Sequence, residues 1–323
     1  MRTSVVMATY NGAPYLRKQL ESILNQQPPP DEVVVCDDCS EDGTAALLEE
    51  YSRLHPSLHF QVNARRLGVV KNFEKGTELA TGEILFFSDQ DDVWLPGRLE
   101  SMLAPFHADP QVQMVYCDAR IVASDLRPLG QTLFDACPGL RPPQNRTPAE
   151  VLRDPGYRGS TMALRARLRP LVLPFPVDTY LYHDCWLALV AHCFGEVRGV
   201  DRTLMLYRRH QGTSSVDPRF EWNLARWIRE WLRPRSTESL RMDLKTWTVI
   251  TRRLEDLQNR TRGPHLDDYV AESRRRLELA RFREALLRMP RLRRLLPVLR
   301  RWYSGDYHRY MSGTRTALKD LLG

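Results

Sequence analysis

Through residue 122 the chain alternates short apolar stretches with amphipathic ones, and that alternation leaves few folds open to it. "TSVVMAT" (3–9), "DEVVVCDD" (31–38), "LHFQVN" (58–63), "EILFFSD" (83–89) and "VQMVYCDARIV" (112–122) read as strands. Helical patterns separate them. "APYLRKQLESILNQ" carries Tyr15, Leu16, Leu20, Ile23 and Leu24 at helical spacing and stops at Pro28-Pro29-Pro30. "SEDGTAALLEEYSRL" opens on Ser40 in an N-cap position, "VVKNFEKGTELAT" ends at Gly82, and "LPGRLESMLAPF" follows the fourth strand. Strand alternating with helix predicts an α/β fold with a mostly parallel, doubly wound sheet flanked by helices. In such sheets ligands bind beyond the carboxyl ends of the strands. Three polar clusters fall there: Thr9-Tyr10-Asn11, Asp37-Asp38 and Asp89-Gln90-Asp91-Asp92.

Residues 130–180 are richer in Pro and Gly and less regular. "YLYHDCWLALVAHCF" is a helix candidate with Asp184 near its start, and "VRGVDRTLMLYRRH" is a strand ending in a basic cluster. From Phe220 the pattern is helical, broken by Pro234, Pro264, Pro290 and Pro297. Charge divides the same way. From Arg219 to the end there are 25 Lys and Arg against 13 Asp and Glu, a net +12; the whole chain is +7, so residues 1–218 carry −5. The expected organisation is one domain over 1–218, then a basic helical region over 219–323. No apolar run approaches the roughly 18 residues of a membrane span, and no secretory leader opens the chain. Six scattered cysteines favour free thiols in a reducing compartment, so the expected location is cytoplasmic. Cys36-x-x-Cys39 has no second Cys/His pair to complete a zinc site.

Neither G-x-G-x-x-G nor a P-loop is present, so phosphate charge must be met another way. Asp89-x-Asp91 at a strand end suits a hard divalent cation, Mg²⁺ or Mn²⁺, bridging to a diphosphate. Capping of the next helix explains one of these aspartates at most. His210 adds a nitrogen donor, which tilts the preference toward Mn²⁺.

Several segments, in order, resemble a family 2 glycosyltransferase with the GT-A fold: "VVMATYNGAPYLRKQLESILNQ", "DEVVVCDDCSEDGT", "LGVVKNFEKGTELATGEILFFSDQDDVW", "GSTMALRARL", "YHDCWLAL" and "YRRHQGTSS". They span about the first two-thirds of the chain, and the resemblance implies a catalytic domain over 1–218 with a nucleotide-binding half (1–120) and an acceptor-binding half (121–218). "SDQDDVW" with "GSTMA" downstream is similar to the branch labelled rhamnosyltransferases of bacterial surface polysaccharides. The resemblance implies that Thr9 and Tyr10 frame the nucleotide base and Asp38 reads the base or ribose. It places Asp89 near the ribose and Asp91 on the metal, as the outer members of a D-x-D motif. Asp184 becomes the general base. His210 closes over the diphosphate, with Arg208 or Arg209 nearby. On the acceptor side the candidates are Gly159, Ser160, Thr161, His183 and Trp94. His183 stands where the family has Glu, and could tune Asp184, contact the acceptor or face solvent. Trp94 could pack beneath the acidic loop or wall the sugar pocket.

The implied reaction moves a sugar from a UDP- or dTDP-sugar to a glycan acceptor, free or lipid-linked, with inversion. The alternatives are a non-catalytic nucleotide- or glycan-binding module and a nucleotidyltransferase. "ATYNGAPY" lacks the basic phosphate loop that the latter needs. For the basic C-terminal region three readings stand: a helical subdomain with Arg toward solvent, a peripheral contact with anionic membrane on the inner face, or a nucleic-acid surface. Only positive charge supports the last, so no nucleic acid is expected.

Overall fold

The computed structural model describes residues 1–142, 146–154, 156–210 and 236–322. The described residues divide into two compact units: 1–142, 156–175 and 182–210 in the first; 146–154, 176–181 and 236–322 in the second. The expected boundary at 218 lies outside the described residues. Two short segments of the expected catalytic region group instead with the C-terminal helices.

In the first unit the strands are β1 (Thr3–Thr9), β2 (Glu32–Asp37), β3 (Leu58–Val62), β4 (Ile84–Ser88), β5 (Val93–Trp94), β6 (Val112–Val122), β7 (Pro128–Thr132), β8 (Met162–Arg165) and β9 (Glu196–Arg208). They form one sheet in the order β3-β2-β1-β4-β8-β6-β9-β5, with β7 added on β6. β1 pairs in parallel with β2 and β4, β2 with β3, and β6 with β9. The helices are α1 (Ala13–Leu24), α2 (Thr44–Leu54), α3 (Val69–Leu79), α4 (Arg98–Ala108), α5 (Leu133–Ala136), α7 (Arg169–Val172) and α8 (His183–Phe194); α6 (Pro148–Arg153) belongs to the second unit. β2 and β4 are buried throughout, as strands covered on both faces must be, and their unbroken apolar runs reflect that. The order reverses at β1, between β2 and β4, so their carboxyl ends open one crevice.

Three strands depart from the parallel expectation. β8, in the stretch read as irregular, runs antiparallel between β4 and β6. β5 is two residues long, too short for any periodicity, and pairs antiparallel with β9. β7 pairs antiparallel with β6. Helix α2 also starts later than expected, at Thr44 behind Gly43, whose φ of +91° suits glycine. Ser40 is therefore not its cap. The Ser40 backbone N–H and hydroxyl both donate to the Asp37 carboxylate (2.9 and 2.6 Å).

The second unit contains α6, α9 (Thr237–Arg260), α10 (Leu266–Leu286), α11 (Arg291–Tyr303), α12 (Asp306–Tyr310) and α13 (Thr314–Leu322). Leu286, Val298, Tyr307 and Ala317 form one apolar cluster; Ala149, Leu279 and Tyr310 form another, which seats α6. Pro297 lies inside α11 rather than ending it. The arginines do not all face solvent: Arg276, Arg283 and Arg294 are buried. Arg283 donates through Nε and Nη2 to Asp320 (2.7 and 3.0 Å) and through Nη1 to Asp243 (3.3 Å), which also accepts from Arg276 (2.6 Å). The Tyr307 hydroxyl completes the Asp320 shell at 2.9 Å. A guanidinium withdrawn from water needs such partners, because an uncompensated buried charge is costly. Asp320→Asn should therefore cost about 3–5 kcal/mol. The check is a fall in the denaturation midpoint of the C-terminal helices, while Asp306→Asn, at a more exposed pair, should change it little.

Candidate active site

A cleft of about 510 Å³ opens at the carboxyl ends of β1, β2 and β4, and all its lining residues belong to the first unit. Its floor is built by side chains that tie loop to loop. Asp37 is fully buried and accepts from the Thr9 hydroxyl at 2.7 Å. Asp38 accepts from the Leu67 N–H (2.6 Å), the Gly68 N–H (2.8 Å) and Asn63 Nδ2 (3.0 Å), so its carboxylate fixes the turn into α3. Asn72 on α3 donates to the Cys36 carbonyl at 2.7 Å and accepts from Asn63 at 2.9 Å, which binds β2, β3 and α3 together. Tyr10 projects from the end of β1 and is partly exposed. The Arg66 guanidinium lies 3.7 Å from its ring centroid.

The acidic loop enters from β4. Gln90 reads both sides of the Tyr10 backbone, accepting from its N–H (2.8 Å) and donating to its carbonyl (3.0 Å). Gly12 leaves room for this amide: a Cβ there would stand 2.2 Å from Gln90 Oε1. The other side of the loop is held by β5, where Val93 pairs with Leu206. That pairing brings the end of β9 back over the aspartates. The Arg208 N–H donates to Asp92 (3.0 Å), Arg208 Nε to the Asp91 carbonyl (2.5 Å) and Nη1 to the Ser124 carbonyl (2.5 Å), while its Nη2 has no hydrogen-bond partner. His210 Nε2 lies 2.7 Å from Asp91 Oδ2, and the imidazole stacks on Tyr15 with centroids 4.5 Å apart.

So much negative charge in one place has a cost. Burial and the Asp91 and Asp184 charges push the Asp89 carboxyl up to about 7. Burial, then Asp91 and Asp89, raises Asp92 well above the carboxylate range, and Asp92 Oδ2 has no hydrogen-bond partner. Beneath the loop Arg98 is fully buried, its guanidinium 4.2 Å from the Trp94 ring centroid. Burial lowers its pKa and the Asp92 charge works against that fall. A carboxylate oxygen and an imidazole nitrogen at 2.7 Å, beside an unsatisfied carboxylate, fit a divalent cation of the Mn²⁺ or Mg²⁺ kind. Among the described residues no three His, Cys, Asp or Glu side chains are arranged to hold an ion by themselves.

Asp184 lies in the first turn of α8, where the helix dipole favours an anion. Its Oδ1 accepts from the Cys185 N–H (2.8 Å) and its Oδ2 from the Gly159 N–H (3.2 Å). β8 supplies the second contact, because it carries Gly159 to the cleft at its leading end. Gly159 is required by proximity: a Cβ would stand 2.8 Å from His183 Nε2. His183 does not face solvent. It is buried against Phe73 (centroids 4.1 Å apart), with Phe175 and Phe87 beyond (6.4 and 6.2 Å), and both ring nitrogens lack partners. Burial lowers its pKa, and the Asp184 charge only partly offsets that.

The cleft thus gathers Thr9, Tyr10, Asp38, Asp89, Asp91, Gly159, His183, Asp184, Arg208 and His210. It does not gather the rest. Trp94 is buried beneath the acidic loop, Ser160 and Thr161 are buried behind Gly159, and Arg209 is outside the lining. The Ser160 carbonyl accepts from Arg98. Sequence reasoning passed over Arg66, Gln90 and Arg158, which also line the cleft. Gln90 stood inside the quoted acidic motif, whereas Arg66 and Arg158 sit in turns without a distinguishing pattern.

The family model described as "Glycosyl transferase family 2" matches residues 4–167, which carry β1 through β8 and most of this cleft. The chain belongs to glycosyl transferase family 2. Across a family 2 chain this long, relatives agree outside the matched region as well. A Bacillus subtilis (strain 168) protein assigned as the teichuronic acid biosynthesis glycosyltransferase TuaG is 25% identical over 248 residues, covering 76% of this chain and 92% of that one. The dTDP-rhamnosyl transferase RfbG of Shigella flexneri is 32% identical over 102 residues, covering 30% of this chain and 35% of that one. Among solved structures, S. aureus TarS 1–349 in complex with UDP-GlcNAc superposes with a TM-score of 0.61 at 18% identity, over 98% of this chain and 90% of that one. The mannosyltransferase PcManGT of Pyrobaculum calidifontis, in complex with GDP-Man and Mn²⁺, gives 0.54 at 19% identity, over 99% and 86%. The fold is therefore GT-A, and the chain is a glycosyltransferase.

The lowered pKa of His183 sets a sign for acid stability. Neutral His183 is fully tolerated above its unfolded pKa, near 6.5. Stability is lost as pH falls below that value, because the folded site resists the proton. His183→Phe should flatten this limb, and melting temperatures measured from pH 7 to pH 5 should fall less in the variant than in the parent.

Proposed function

We propose that this chain transfers a sugar from a nucleotide-diphosphate donor to a glycan acceptor, with inversion at the anomeric carbon and with a divalent cation. The observation that carries the reading is the Asp91–His210 pair, 2.7 Å apart, in the same cleft as Asp184. Residues 1–120 supply the donor side, with Thr9 and Tyr10 framing the base, Asp38 at the base or ribose and Asp89 near the ribose. The flat Tyr10–Arg66 pair offers a face on which a base can stack. Residues 121–218 supply the acceptor side, where Gly159 and His183 border the cleft.

Asp91 and His210 would hold the cation, and bound there it supplies positive charge to the departing diphosphate. Arg208 lines the same cleft and adds positive charge beside those oxygens. Asp184 accepts the proton of the acceptor hydroxyl as that oxygen bonds to the anomeric carbon and the bond to the diphosphate oxygen breaks. The two N–H groups on its oxygens fix its direction and leave lone pairs for the hydroxyl. One displacement from the face opposite the leaving group inverts the centre.

The names of the relatives support the finer choices. RfbG is named for dTDP-rhamnosyl transfer and the TarS complex holds UDP-GlcNAc, which favours a UDP- or dTDP-sugar, with rhamnose the leading candidate. The PcManGT complex contains Mn²⁺, which favours Mn²⁺. TuaG is named for teichuronic acid biosynthesis, which favours a surface polysaccharide; a lipid-linked acceptor at the inner face of the membrane is part of the same proposal. Among the described residues no helix is long and apolar enough to cross a membrane, so the proposed contact is peripheral.

The two central carboxylates should separate in a donor-turnover and donor-binding assay. Asp184→Asn should keep nucleotide-sugar affinity within a few-fold and lower transfer by about 10²–10⁴. Asp91→Asn should lose cation-dependent donor binding itself. Transfer by Asp184→Asn at the parental rate would remove the general base from this account.

A further inference from the structure

Helix α11 (Arg291–Tyr303) is built differently from its neighbours. Val298 and Arg294 face inward; Arg294 donates to the Met289 carbonyl (3.0 Å) and Arg301 to Asp306 (2.7 Å). The opposite face carries Leu292, Leu295, Leu296, Leu299 and Tyr303, which are 95%, 53%, 60%, 37% and 79% exposed. Those positions follow i, i+3, i+4, i+7 and i+11, so they lie in one stripe about 100° wide. Exposed Arg293 and Arg300 border the stripe on one side and Arg291 borders it on the other. Among the described residues these three arginines make no ion pair, and α11 contains no Asp or Glu.

A contiguous apolar stripe of this size on a charged protein calls for an occupant. The charge pattern says which kind. Cations on both borders, with no carboxylate on the helix between them, complement an anionic plane; Glu278 and Asp306 approach at Leu296 and Arg300. Arginine stems can lie along apolar surface while the guanidinium heads reach phosphates. At about 1.5 Å per residue the 13-residue helix is about 20 Å long, enough to lie in an interface and too short to cross one. Tyr303, at the end of the stripe, is a residue type that settles at the headgroup level.

We propose that α11 is the membrane-docking element of this chain: its leucine stripe inserts at the headgroup–acyl boundary of an anionic bilayer while Arg291, Arg293 and Arg300 bind lipid phosphates. This deepens the peripheral contact proposed above. Vesicle binding and donor turnover are separate readouts, so failure of either one is told apart from failure of the other.

The test is co-sedimentation of the full chain with phosphatidylglycerol–phosphatidylcholine vesicles and with phosphatidylcholine vesicles, at low and high salt. The parent should favour the anionic vesicles at least about tenfold, and salt should weaken binding. Leu292→Ser/Leu296→Ser/Leu299→Ser and Arg291→Gln/Arg293→Gln/Arg300→Gln should each lose at least about tenfold. Both should keep the parental melting temperature and donor turnover, since every altered side chain is exposed. Undiminished vesicle binding by the leucine variant would overturn the proposal. So would a parent that ignores vesicles, including one that dimerises through this face and becomes monomeric in the leucine variant.

Discussion

Three aspartates in four positions at the edge of a buried sheet form the constraint around which the first unit is arranged. Burial, sharpened by the neighbouring carboxylates, pushes Asp89 up to about 7 and raises Asp92 well above the carboxylate range. The protein offsets this charge only in part. Arg98 lies underneath as a buried cation, and Arg208 spends its backbone N–H on Asp92 and most of its guanidinium on main-chain carbonyls. The remaining negative charge suits the cation proposed for this site.

The scaffold's task is to hold that loop still. Gln90 fastens it to β1, and the two-residue β5 fastens it to β9. The second attachment has a chemical consequence. Once Val93 is registered with Leu206, the residues after β9 must pass over the loop, and His210 meets Asp91. The antiparallel β8 does the same on the other side by carrying Gly159 to Asp184. Two strands that break the parallel pattern therefore place the two groups on which the proposed chemistry depends.

The first half of the fold was legible because its signals are local. Apolar runs such as "DEVVVCDD" and "EILFFSD" match β2 and β4 within a residue or two, and the polar clusters after them face one crevice. β5 and β8 were not legible, since two or four residues carry no period and only long-range pairing makes them strands. Ser40 looked like a cap because its residue type fits one, but the Asp37 carboxylate took its hydrogen bonds first. Of the three readings open for His183, the one toward solvent does not hold, because the aromatic rings of α3, β4 and Phe175 enclose it. One reading of the basic tail put its arginines toward solvent, yet Arg276 and Arg283 sit in a buried network whose acids come from α9 and α13. Composition cannot show which arginine meets which carboxylate.

The claim that organises this account is that the acidic rim is half of a cation–diphosphate site. Calorimetric titration of UDP and dTDP into the full chain, with Mn²⁺ and then with a chelator, tests it most directly. At least one of the two nucleotides should bind about tenfold or more tightly with the cation, because the rim otherwise repels the diphosphate. Equal affinity with and without the cation would contradict the account.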